Sequence, residues 1–372
     1  MSATSYLILS CDGGGIRGLI TALLLQDLSS DPQTKDLLAR VNLFAGTSTG
    51  GIISLALASG MTAETMVELY QNSGSQIFQP AQISSDEVYR ILLEFLPSEF
   101  SSLPAPSSLP AELTASWNPL HFLDGILQGL KNLVMARYDH SGLQALLTPY
   151  LTGTKTLADL DRKVMVTTLR LSDGSSWQPI VLTNLGGAAE PSSASLVLDA
   201  ALCTGAAPTF FPPYNHPIYG YCADGGVFAN NPSTLALTTA CAHNIDPGQI
   251  RLLSLGTGSC AAQIPTAAIN YYGPQSYGVF LWMSPEQRRG APGTPLLNAL
   301  MDNVAQNDVD ETRLILGPEH YQRGNVQLTQ NISLDDSSPA TIQLMEKATS
   351  DYIKTDEWKG IKQNVARWLQ ES

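Results

Sequence analysis

The stretch YLILSCDGGGIRGLITALLL, residues 6–25, decides how the rest of the chain is read. Its first six residues form an apolar run that reads as a short buried strand. A helix is predicted from about Ile16 to Leu28, with Leu19, Leu23 and Leu24 on one face. Between them lies Gly13-Gly14-Gly15-Ile16-Arg17-Gly18, which fits G-x-G-x-x-G in the strand-to-helix context of a nucleotide phosphate cradle. Bare amides at a helix N-terminus attract negative charge whatever the anion. A dinucleotide site needs an acidic residue about 20 positions on, ending the second strand, to hold the ribose. Here the second predicted strand, 41–45, runs into Gly46-Thr47-Ser48, which disfavours a nucleotide-binding oxidoreductase.

Working outward, VNLFAGTSTGGIISLALASG (41–60) repeats the plan of strand, small-residue turn and apolar helix. A further helix is expected over 63–70, with Thr62 as its cap. Residues 97–119 are too rich in Pro and Ser for a long helix or central strand. Residues 120–135 are apolar but interrupted by Gly125 and Gly129. Together, about 75–140 reads as a cap or lid insertion. From 163 the alternation resumes, with strands expected at 163–171, 177–184, 217–226 and 250–258 and helices at 193–204 and 232–243. Three more helices, 294–316, 340–354 and 359–369, form a C-terminal helical portion from about 290 to 372. Strands alternating with helices predict an α/β fold with a mostly parallel sheet covered on both faces.

The bulk properties exclude several classes of function. The 372 residues carry a formal net charge of −13, with only 14% charged and 44% hydrophobic residues. A nucleic-acid surface needs concentrated Lys and Arg, and so does electrostatic attachment to anionic membranes. Apolar contact with a lipid interface remains open. No apolar run approaches the roughly 20 residues of a membrane span, and no basic region precedes the first apolar run as in a secretory signal. The expected location is therefore cytoplasmic, soluble or peripheral at membranes. Five cysteines fit a reducing compartment, and the absence of a C-x-x-C pair gives no structural zinc site. No metal or cofactor is expected.

Gly46-Thr47-Ser48-Thr49-Gly50 is a G-x-S-x-G between a predicted strand and a predicted helix. A serine nucleophile needs a strained turn that lifts its hydroxyl clear of the sheet, and flanking glycines remove side chains that would clash there. Such a serine needs a base. None of His121, His140, His216, His243 and His320 sits in a recognisable catalytic context. Asp224, in CADGGVFANNP, ends a predicted strand, where catalytic residues of parallel sheets collect. It reads equally as a base or as an ordinary turn aspartate.

These residues carry a resemblance. Asp12-Gly13-Gly14-Gly15-Ile16-Arg17-Gly18, then Gly46-Thr47-Ser48-Thr49-Gly50, then Asp224-Gly225-Gly226 resemble the signature motifs of the patatin-like acyl hydrolases. The runs AAPTFFPP (206–213) and LSLGTG (253–258) add to it, in the same order and at similar spacing, so that about 5–260 is covered. The resemblance implies one catalytic domain spanning 1–372, a three-layer α/β/α sandwich. It implies a Ser–Asp dyad without histidine, with Ser48 as nucleophile, Asp224 as general base and the Gly13, Gly14 and Gly15 amides as oxyanion hole. The implied reaction is cleavage of fatty-acyl esters of phospholipids or other glycerolipids through an acyl-Ser48 intermediate. An acyltransferase and a non-catalytic storage or binding protein on the same fold are the alternatives.

An aspartate alone is a weak base at neutral pH, since its ordinary pKa is near 3.9. Burial beside Ser48 would raise it, so an enclosed site is expected. Asp12 is a rival base but reads better as holding its own loop. Arg17 falls in the first predicted helical turn, where its charge opposes the helix dipole by about 0.3–1 kcal/mol. A substrate phosphate, the oxyanion or a nearby carboxylate would compensate it. The apolar stretches 120–135 and YYGPQSYGVFLWM (271–283) are candidates for an acyl channel, a lid or plain core.

Overall fold

The computed structural model describes residues 5–91 (except 83, 85, 86 and 89), 135–172, 176–260, 264–282 (except 274 and 276–280) and 295–371. Most of the expected cap, 92–134, lies outside the described residues, as does His121.

The strands are β1 (Tyr6–Cys11), β2 (Leu43–Gly46), β3 (Lys163–Arg170), β4 (Gln178–Thr183), β5 (Tyr214–His216), β6 (Gly220–Asp224), β7 (Ile250–Leu255) and β8 (Tyr321–Gly324). They form one sheet in the order β5-β6-β3-β2-β1-β7-β8, with β4 also paired to β3. The run β3-β2-β1-β7-β8 is parallel, whereas β4 and β6 are antiparallel to β3. The described helices of eight residues or more are α1 (Gly18–Ser30), α2 (Thr49–Ala58), α3 (Ala63–Ile77), α4 (Ser141–Leu151), α5 (Val197–Thr204), α6 (Ser233–Ala242), α7 (Pro295–Leu316), α8 (Pro339–Tyr352) and α9 (Asp356–Glu371).

Alternation along the strands builds two cores, as a covered sheet requires. Leu7, Leu9 and Cys11 of β1 face α1 to α5, α8 and α9. Ile8, with Leu43, Ala45 and Met165, faces α6 and α7 through Ala236, Leu237 and Val309. The C-terminal portion is more than helical: β8 extends the sheet beside β7, and Trp358 and Trp368 of α9 are among the largest fully buried side chains. β8 escaped the sequence reading because YQRG has no apolar alternation to announce it.

β3 sets the position of everything that follows. Its residues 163–166 pair with β2, and 168–170 with β6, while β4 occupies its other edge over 165–170. β2 and β6 therefore lie end to end along one edge of β3, running toward each other. The last residue of β2 is opposite Val166 and the last of β6 opposite Thr168. The expectation that Asp224 ends a parallel strand is corrected: β6 is antiparallel, and it brings its C-terminal end to that of β2 because the two meet head-on.

Among the described residues, no helix is long and apolar enough to cross a membrane.

Candidate active site

Ser48 follows β2 directly and caps α2 with φ 55° and ψ −126°. That backbone is in the positive-φ region that side chains other than glycine rarely adopt. Its neighbours make the turn possible. A Cβ on Gly46 would stand 2.1 Å from the Gly50 carbonyl oxygen, and one on Gly50 would stand 2.1 Å from that of Cys11. The Ser48 amide donates to Thr204 Oγ1 at 2.9 Å, which ties the elbow to the end of α5. Thr47 turns the other way, its hydroxyl donating to the Ala229 carbonyl and paired with Thr167 Oγ1 at 2.8 Å.

Thr167 is the β3 residue between the two strand ends, and it also lies beneath Gly225, where a Cβ would meet its Oγ1 at 2.1 Å. One threonine thus seats both the serine elbow and the aspartate turn. Asp224 is 1% exposed and Ser48 6%. Asp224 Oδ1 accepts the Gly226 amide at 2.7 Å, while Oδ2 is buried without a hydrogen-bond partner. Burial pushes the carboxyl up to about 7, against the smaller opposing effects of the Ser48 hydroxyl and the Gly226 amide. The hydroxyl is near enough to act on the carboxylate but stands outside hydrogen-bond geometry.

The glycine loop passes next to this pair: a Cβ on Gly13 would come within 3.2 Å of Ser48 Cβ. Accounting for its backbone groups sharpens the expectation. The Asp12 amide donates to the Leu255 carbonyl, Gly13 to that of Asn230 at 2.9 Å, and Ile16 to that of Leu334 at 2.8 Å. The Gly13 carbonyl accepts Thr257 Oγ1. The Gly13 amide is therefore committed inside the protein. The amides of Gly14 and Gly15 carry no hydrogen bond among the described residues, and Gly15 (φ 58°) borders the cavity at Ser48.

Arg17 sits in a 3-10 turn (Gly15–Arg17) ahead of α1, buried. Both its amide (3.1 Å) and its Nε (3.4 Å) donate to the Gly14 carbonyl. It braces the loop from within. Asp12 is gripped by both terminal nitrogens of Arg323 at 2.9 and 2.5 Å, a partner from far along the chain. Arg323 also donates to Ser254 Oγ at 2.8 Å. Neither it nor Thr204, Thr167 and Asn230 was singled out in the sequence. Asn230 at least stands inside the quoted CADGGVFANNP run, whereas Arg323 carries no local signal.

An apolar cavity of about 80 Å³ opens on Ser48 and Gly15. Ile52, Ile53 and Ala56 of α2 form one wall, Met66, Leu69 and Tyr70 of α3 another, and Leu143, Leu146 and Leu147 of α4 a third. Phe210, Phe211 and Leu334 stand at the same cavity. His140, His216, His243 and His320 do not line it. His140 binds the Pro212 carbonyl oxygen through Nε2, and His216 Nδ1 accepts the Ile218 and Tyr219 amides. Tyr271 and Tyr272 do not line it either; of the other candidate channel, 120–135, only Met135 lies within the described residues.

Ser48, the buried Asp224 and the glycine loop thus meet at one apolar cavity, which among the described residues no histidine lines. The chain belongs to the patatin-like phospholipase family, whose model matches residues 9–237. It is 28% identical over 263 residues to a cGAMP-activated phospholipase of Pseudomonas aeruginosa, a match covering 70% of this chain and 65% of that protein. It is 26% identical to Patatin-like protein 2 of Arabidopsis thaliana, covering 91% of this chain and 79% of that one. The chain thus spans just under two thirds of the length of the first of these relatives and more of the second. Among solved structures it is similar to VipD from Legionella pneumophila, at 13% identity and a TM-score of 0.41, covering 94% of this chain and 67% of that one.

Proposed function

We propose that this chain is a serine lipid acyl hydrolase of the phospholipase A type, acting on fatty-acyl esters of phospholipids or other glycerolipids. The observation that carries the reading is the apolar cavity opening directly on Ser48, with the buried Asp224 behind the serine. Ser48 Oγ attacks the ester carbonyl while Asp224 Oδ2 takes its proton. The carbonyl π electrons move onto oxygen, and the oxyanion is held by the Gly14 and Gly15 amides. The oxyanion collapses, the bond to the alcohol oxygen breaks, and the proton passes from Asp224 to that oxygen. A water, deprotonated by Asp224, then attacks the acyl-Ser48 carbonyl. Cleavage of the acyl–Oγ bond returns the proton to Ser48 and releases the fatty acid.

The carboxyl at about 7 suits this work, because a general base is most effective with a pKa near the operating pH. Oxyanion donors of this kind are each worth about 10²–10³ in rate. Gly13 is assigned to loop support, and Arg17 to bracing the Gly14 carbonyl. The substrate reaches the site from a lipid interface, and all of 1–372 serves as one catalytic unit.

Mass spectrometry of a mixed lipid extract treated with wild type, Ser48→Ala and Asp224→Asn tests the assignment. Fatty-acid release by wild type alone, with fluorophosphonate labelling lost in Ser48→Ala, is the expected outcome. Equal release by Ser48→Ala would overturn it.

A further inference from the structure

The apolar cavity at Ser48 is bordered along one side by α2. Ser48, Ile52, Ile53 and Ala56 all line it and lie on one stripe of α2. At 1.5 Å rise per residue, the eight steps from Ser48 to Ala56 span about 12 Å. Two residues beyond Ala56 the helix ends at Ala58, and the chain turns through Ser59 and Gly60. Met61 then folds back, its amide donating to the Ala56 carbonyl at 2.9 Å. Met61 lines the Ser48 cavity and also a second, outer groove where Leu57 and Leu160 lie among the charged Lys155, Asp159, Asp161 and Arg162. Its half-buried side chain is a wall shared by the two spaces. Ala56, 2% exposed, lines the same cavity beside it.

We propose that Met61 is the plug that sets acyl-chain length, with Ala56 as the constriction ahead of it. This inference rests on the acyl-Ser48 reading above. The bound acyl group lies along α2 with its carbonyl at Ser48 and its methyl end against Met61. The roughly 12 Å of α2 from Ser48 to Ala56 is shorter than the roughly 15 Å of hydrocarbon in one bilayer leaflet, so an acyl group laid along it and stopped at Met61 is of medium length. Methionine suits such a position: it is unbranched, polarisable and adapts its rotamer to the gap it fills. Cutting it back to alanine joins the channel to the outer groove and admits a longer chain. A larger side chain at 56 stops the chain earlier.

The test is the profile of kcat/KM across p-nitrophenyl esters from butyrate to stearate. It is measured for wild type, Met61→Ala and Ala56→Leu, with alkyl fluorophosphonates of short and long chain as a second readout. Wild type is expected to peak among the medium chains. Each additional methylene accommodated is worth about fourfold, so Met61→Ala should raise the stearate-to-laurate ratio by about tenfold or more. Ala56→Leu should move the optimum toward shorter chains by a similar factor. Phosphonate labelling of Ser48 should follow the same two shifts. Labelled, active proteins whose profiles coincide with wild type would overturn the role of Met61 while leaving the hydrolase reading intact. Loss of the hydrolase reading would instead appear as wild-type protein that neither cleaves any ester nor takes up either phosphonate, and the proposal would fall with it.

Discussion

Replacing Asp224 by asparagine should abolish acyl transfer and at the same time stabilise the fold at neutral pH. The carboxyl is held at about 7 by burial, against an ordinary value of 3.8. At about 1.36 kcal/mol per pH unit, that difference amounts to ~4 kcal/mol. Its sign is fixed by which state binds the proton. Below the ordinary value both folded and unfolded chains are protonated, and the group contributes nothing. As pH rises toward about 7, the unfolded chain releases its proton while the folded chain keeps it, so stability falls. Above that, the full ~4 kcal/mol is lost, because an ionised carboxylate is held where one of its oxygens has no partner. Asparagine does not titrate and escapes the loss. It carries a constant cost of about 1–3 kcal/mol for a buried amide group left unpaired. That cost cancels when the stability difference between variant and wild type is compared at two pH values. Urea unfolding at about pH 4.5 and pH 8, followed by tryptophan fluorescence from the buried Trp358 and Trp368, measures it. The variant's advantage should grow by about 3–4 kcal/mol between the two conditions. Wild-type kcat/KM should rise over the same interval with a midpoint near 7. A stability difference that is the same at both pH values would refute the argument.

Three other outcomes follow from the geometry around this pair. Ser48→Gly should be more stable than Ser48→Ala by about 1–3 kcal/mol, because only glycine occupies φ 55° without strain; thermal denaturation of the two inactive proteins compares them directly. Arg323→Met should destabilise the fold by about 3–5 kcal/mol, the usual effect of stripping one partner from a buried pair, since the two side chains are 10% and 5% exposed. Adding Asp12→Asn should recover part of that in a double-mutant cycle. Gly50→Ala should yield little folded protein and no phosphonate labelling, since its Cβ would meet the Cys11 backbone oxygen at 2.1 Å, whereas Gly153→Ala, with nothing within 4 Å, should melt like wild type.

The elements that bear the chemistry were legible because each one is local. DGGGIRG, GTSTG and the run after Asp224 announce turns through glycines whose missing side chains are needed within a few residues, and β1, β2, α1 and α2 fall close to their expected places. The C-terminal helices were legible for the same reason, from a 3.6-residue period. What was not legible is long-range. β8 has four residues and no alternation, yet it supplies Arg323 to a carboxylate 311 positions earlier. The antiparallel sense of β6 was invisible because strand direction is set by pairing, not by composition. The helix Ser141–Leu151 lies just past the expected cap and was assigned no element, although it walls the cavity through Leu143, Leu146 and Leu147.

The same contrast explains why the glycine loop could be recognised before its amides could be assigned. The letters G-G-G promise three unhindered amides, and by spacing alone all three are candidates for one anion. Which of them stays unoccupied is decided by groups that arrive from elsewhere. Asn230, six residues beyond Asp224, takes the Gly13 amide, and Leu334 takes that of Ile16. Arg17 pulls on the Gly14 carbonyl and so orients the peptide whose amide belongs to Gly15. Each of these anchors fixes one peptide plane, and the amides of Gly14 and Gly15 are left between them, with Gly15 at the cavity. A loop tied down in this way is set before substrate arrives, which is what the oxyanion role proposed for it requires. It also makes the loop depend on segments that lie outside residues 9–237, the part matched by the family. The Asp12–Arg323 pair and the Ile16–Leu334 bond are two such dependences, so a chain cut after 237 should keep Ser48 and Asp224 in sequence yet fail to label with a fluorophosphonate.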